Sequence, residues 1–193
     1  MDYSDPFLHR LIKLWPPPSQ LQHTGQTVGF DRVERDLGLV LPASYKQLTF
    51  AYGQGVWFQT IFVLNPFMAR ANDLEPWMSV REYAGGPSWC KRLLASKEEF
   101  PDLIRSPIYP ESGGLFPWAF LQGGGVLYWL TAGPPVRWKT LHDRDLCGEE
   151  NWELFEMSVT ELLWRLAKGD AKVKGTELEG RIAPYRSTVF EVR

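Results

Sequence analysis

His142, Asp143, Asp145, Cys147, Glu149 and Glu150 fall within the nine residues HDRDLCGEE. Carboxylates, a thiol and an imidazole at this density are the raw material of a cation site. Their spacing matches no ligand motif, and Arg144 in the middle of the run argues for a solvated, charge-rich loop. As a loop, the segment becomes a binding surface. Asp143, Asp145, Glu149 and Glu150, with Glu153 just beyond, would speed association with a basic partner and cover a basic channel. A second surface comes from the aromatics Trp57, Phe58, Trp77 and Trp89, because Trp and Tyr lead interface hot spots.

Two segments touch on covalent chemistry or phosphate binding. Gly86-Pro87-Ser88-Trp89-Cys90 approaches a Gly-x-Ser-x-Gly elbow but lacks the second glycine and the strand before it. Ser88 reads as the N-cap of a following helix. Cys90 would need a histidine as base, and the three available, His9, His23 and His142, lie in unrelated segments. Gly123-Gly124-Gly125 has neither the Walker pattern nor the spaced glycines of a dinucleotide loop, and it precedes the strand-like VLYWLT. A hairpin turn is expected there, where positive φ carries little steric cost. No catalytic residue, metal or cofactor is assigned.

Composition narrows the classes. The 193 residues carry 21 basic and 23 acidic side chains, for a net charge of −2, and contain no run of Lys or Arg. Nothing there would neutralise a nucleic-acid backbone. Apolar residues make up 44% and aromatics 14%, which suits one domain with a β-rich core over residues 1–193. No apolar run reaches the length of a membrane span. The opening MDYSDPFLHRLIKLW is a poor signal peptide, and two cysteines form no disulfide framework, so a reduced cytoplasmic setting is expected.

The elements that must position these residues can be read along the chain. Asp5-Pro6 starts a helix with Phe7, Leu8, Leu11, Ile12 and Trp15 on one stripe, stopped by Pro16-Pro17-Pro18. After a polar linker to about residue 25, a helix from near Thr27 carries Phe30, Val33 and Leu37 and stops at Gly38. Leu39-Val40-Leu41 would be a buried link to a third helix, begun at Pro42, with Tyr45, Leu48 and Tyr52 inward and Gly53 at its end. VWFQTIFVL then reads as one strand. Residues 87–100 read as helical with Leu93 and Leu94 inward. LFPWAFL, VLYWLT, VRWKTL and NWELFEM read as further strands of a meander. Ser158-Val159-Thr160-Glu161 is a capping box opening a last helix with Leu162, Leu163 and Leu166, closed by Gly169. In the tail, 170–193, STVFEV could return as an edge strand. The layout is α+β, a central antiparallel meander flanked by N-terminal helices and a C-terminal helix.

The stretch VERDLGLVLPASYKQLTFAYGQG resembles the N-terminal signature of the SUKH superfamily, the Smi/Knr-type proteins, with Glu34, Leu37, Gly38, Leu41, Pro42, Tyr45, Lys46, Tyr52, Gly53 and Gly55 in the matching places. A second block, GGLFPWAF and VLYWLT, is similar through Gly114, Leu115, Pro117, Trp118, Tyr128, Trp129 and Thr131. Trp138, Phe155, Leu162 and Leu163 resemble the closing elements. The resemblance spans roughly residues 26–169. It departs at the turn, where Gly123-Gly124-Gly125 replaces a sequence that is often acidic.

That resemblance implies an interaction domain. Bacterial members are mostly immunity proteins that neutralise a secreted or contact-delivered toxin, many of them nucleases, by direct binding. Fungal members are scaffolds in cell-wall regulation. The expected partner is therefore a cognate toxin domain, with a scaffold role as the alternative and a small hydrolase using Ser88 or Cys90 as the third reading.

Overall fold

The structure, a computed structural model, describes residues 4–21, 24, 29–67, 89–122, 124–144, 149–174 and 186–187. Trp77, Ser88, Gly123, Asp145 and Cys147, named above, lie outside the described residues.

Helix α1, Pro6–Leu14, begins where Asp5 caps it, its carboxylate accepting from the amides of Phe7 and Leu8. It buries Leu8 and Leu11 completely, each worth ~1.5–3 kcal/mol when removed from water. Helix α2, Phe30–Leu37, buries Phe30, Val33 and Leu37 and stops at Gly38, φ 64°. Helix α3, Ala43–Tyr52, buries Tyr45, Leu48 and Tyr52 and ends at Gly53. Glu34 joins the two: its Oε1 accepts from the Leu41 amide at 2.8 Å and from Lys46 Nζ at 2.7 Å. The link between them is only partly buried, because Leu41 is inside while Val40 is 58% exposed.

The expected single strand over 56–64 is instead a hairpin. Strand β1, Gly55–Trp57, turns through Phe58-Gln59-Thr60 into β2, Ile61–Val63. Strands β3, Leu115–Leu121, and β4, Val126–Leu130, follow as expected. VRWKTL is divided: Pro135–Arg137 forms a 3-10 turn, and β5 runs Lys139–Asp143. Proline at the head of that turn cannot donate to a ladder. Strand β6, Glu153–Phe155, completes an antiparallel meander, and a short β7, Arg186–Ser187, pairs with β1. The sheet order is β6-β5-β4-β3-β2-β1-β7.

Paired residues share a sheet face, so register assigns the layers. Trp57, Leu121 and Trp129 face α3, with Tyr52 against Trp57 at 4.8 Å and Tyr45 against Trp129 at 5.1 Å. Helix α5, Val159–Lys168, lies on this side with α1, where Phe7 meets Trp164 at 5.6 Å. Helix α4, Trp89–Glu99, covers the other face: Trp89 packs on Phe120 at 5.3 Å and donates to the Tyr128 hydroxyl at 2.5 Å. At the centre Phe116, Trp118 and Trp129 stack, with centroids 6.1–6.2 Å apart. This aromatic layer ties the helices to one sheet.

Candidate functional site

Three helices begin at one place. The N-termini of α1, α3 and α5 converge on a cleft of about 210 Å³, walled by Pro6, Pro42 and Met157, with Trp129 and Trp138 from the sheet. Each N-terminus carries about half a positive charge from its aligned peptide dipoles. Asp5 answers two of the three. Its Oδ1 accepts from the amides of Phe7 at 2.8 Å and Leu8 at 3.0 Å, and its Oδ2 accepts from Thr160 Oγ1 at 2.7 Å in the first turn of α5. The Asp5 amide donates to Gln47 Oε1 on α3, and Gln47 Nε2 donates to Ser4 Oγ. Ser158 Oγ accepts from the Glu161 amide at 3.2 Å, making one half of the capping box, while the Glu161 carboxylate instead accepts from Arg165 Nε at 2.8 Å.

Asp5 is held by three donors, the amides of Phe7 and Leu8 and the Thr160 hydroxyl. Ser158 and Thr160 share a 3.0 Å contact and serve the helix start. The walls combine proline, tryptophan and methionine with the polar Ser4, Ser44 and Gln47. Val136, in the 3-10 turn, lines the mouth and is 88% exposed.

Of the run 142–150, the described residues are built into the fold more than a solvated loop would be, with Arg144 and Glu150 left exposed. His142 and Asp143 belong to β5 and are only 2% and 3% exposed. Antiparallel pairing of His142 with Glu153 brings the imidazole Nδ1 within 3.0 Å of Glu153 Oε2. That oxygen also accepts the Lys174 amide at 2.8 Å, fastening the chain after α5 to the sheet. Glu149 Oε1 accepts the amides of Arg105 and Ser106 at 2.6 and 2.5 Å. Of the acidic candidates among the described residues, Glu150 is the one left exposed. The aromatic surface is corrected too. Trp57 and Phe58 are 1% and 3% exposed, and Trp89 is half-buried against α4's own sheet face. Burial takes Asp143 and Trp57 off the surface where a partner would meet them.

Burial also disposes of Cys90 as a nucleophile: it pushes the thiol up from 9.0 to about 12, so the thiolate is scarce at neutral pH. Among the described residues, no group of three or more His, Cys, Asp or Glu could hold a metal ion. Gly124 and Gly125 take part in the expected turn: they have φ 104° and 95°, and the Leu121 amide donates to the Gly125 carbonyl at 3.1 Å. A Cβ on Gly125 would stand 3.0 Å from His142 Nε2.

Sequence reasoning missed the cleft. Asp5 and Thr160 are 155 residues apart, and no local pattern couples them. Val136 carried a signal, an aliphatic residue flanked by Pro135 and Arg137 in a Gly-Pro-Pro turn. Comparison with protein-family models, curated proteins and solved structures gave no match. No helix among the described residues is long and apolar enough to cross a membrane.

Proposed function

We propose that this chain is a non-enzymatic immunity protein of the SUKH type, which neutralises a cognate toxin domain by direct, stoichiometric binding. The observation that carries the reading is the cleft with Val136 standing 88% exposed at its mouth. Val136 thus offers an exposed aliphatic side chain beside the buried Trp129 and Trp138 of the cleft wall. The residues of the SUKH resemblance support it by their roles. Gly38 and Gly53 end helices, Glu34 and Lys46 pair, Tyr45 and Trp129 pack together, and Gly114 admits a close backbone approach. Of the two hydrolase candidates, Cys90 is buried, and Ser88 lies outside the described residues.

The test is co-expression with the toxin-like product of the adjoining gene, scored by growth rescue and by co-elution of a complex. Val136→Asp should weaken the complex by about 10-fold or more, since central anchors carry above ~1.4 kcal/mol. Its thermal midpoint should stay unchanged because Val136 is exposed. Absence of both rescue and complex with the wild-type chain would overturn the reading.

A further inference from the structure

The end of α4 is built against its own electrostatics. Cations favour a helix C-terminus and anions an N-terminus, yet this helix carries Lys91 and Arg92 near its start and Glu98 and Glu99 at its end, with Lys97 the one cation in its last turn. Asp102 follows one turn later. The residues Glu98, Glu99, Phe100, Pro101, Asp102 and Leu103 are all exposed, Phe100 by 50% and Leu103 by 39%. None of the three acids has an ion-pair partner among the described residues.

This turn is held firmly. The Phe100 amide donates to the Ser96 carbonyl at 2.8 Å and the Leu103 amide to the Phe100 carbonyl at 3.0 Å. Ile104, next in sequence, is 3% exposed and anchors the turn in the core. Lys97 Nζ donates to the carbonyls of Arg105 at 3.3 Å and Ser106 at 2.7 Å, while Glu149 accepts the amides of the same two residues. Lys97 and Glu149 therefore act as struts, and they bring exposed Glu150 alongside. Four acids and two apolar side chains form one ledge, with exposed Arg105 as the nearby cation.

We propose that this ledge is a second docking surface for a basic protein, with Phe100 and Leu103 seated in an apolar depression of the partner and Glu98, Glu99, Asp102 and Glu150 meeting its Lys and Arg. The charge picks the occupant: an anionic lipid surface or a nucleic acid would be repelled. The cleft lies on the opposite face of the sheet, so the two surfaces are separate. The ledge rests on the reading of this chain as a protein-binding domain.

Affinity for the adjoining gene's product, measured at low and high salt, tests it. In the wild type, association should slow with added salt. Reversal of Glu98, Glu99 and Asp102 to Lys should slow association about 10-fold or more at low salt and flatten the salt dependence. Phe100→Ala with Leu103→Ala should speed dissociation about 10-fold or more. The lysine variant should melt no lower than wild type, since the reversal matches the helix dipole. If both variants keep wild-type affinity and salt dependence, the ledge is not a docking surface, while a bound wild type still upholds the protein-binding reading. If the wild type binds nothing, the reading fails and the ledge with it.

Discussion

Gly114 has no room for a side chain. A Cβ there would lie 2.4 Å from the Tyr109 amide nitrogen and 2.5 Å from the Ile108 carbonyl carbon, both backbone atoms that cannot swing away. The approach lets the 107–109 segment bond to Leu115, whose amide donates to the Pro107 carbonyl at 2.9 Å. Gly114→Ala should therefore lower stability by about 2–3 kcal/mol, in the range of overpacked cores, read as a fall in the urea midpoint with unchanged slope. At this scale the sequence was readable where backbone geometry sets the residue type, as at Gly38, Gly125 and Gly169. It was unreadable where partners set the role. Asp143 and Glu149 look alike in composition, but one lies in a buried strand and the other braces a loop. Only cross-strand pairing and a contact 44 residues away distinguish them.

The β1–β2 hairpin shows why an element can be hidden. VWFQTIFVL keeps its aromatic and β-branched character straight through the turn, and no Gly, Asn or Asp marks it. Phe58 and Gln59 take φ 53° and 59°, a left-handed region that disfavours residues with a Cβ. Packing holds them there: Phe58 is 3% exposed and meets Trp15 at 5.6 Å. Gln59 is exposed, so Gln59→Gly relieves the conformation without losing a core contact. It should raise stability by about 0.5–1 kcal/mol, and Gln59→Val should lower it; denaturant titration distinguishes the two. Helices were easier to read, since Asp5, Ser158, Gly38 and Gly169 signal their ends through local bonds.

Across the molecule, the meander was legible because its strands pair in sequence order. The convergence of three helix starts was not, being a product of tertiary packing. Whole-molecule stability should be sensitive to alkali. Burial raises the Cys90 thiol from 9.0 to about 12 and raises the Tyr45 phenol as well. Above pH 9 the unfolded chain gives up the thiol proton while the folded chain keeps it. Stability fully present below pH 9 should then fall by up to about 1.4 kcal/mol per pH unit as pH rises toward 12. Urea midpoints between pH 8 and 10.5 should show the decline, and Cys90→Ala should flatten its first part. The clasp between Asp5 and Thr160 has a further consequence, in the order of synthesis. Helix α1 leaves the ribosome well before its partner α5, whose Thr160 follows Asp5 by 155 residues. At roughly 5–20 residues per second, α1 waits about 8–30 s with Leu8 and Leu11 uncovered by α5. The nascent chain thus passes through a long interval in which α1 is an element a chaperone can hold.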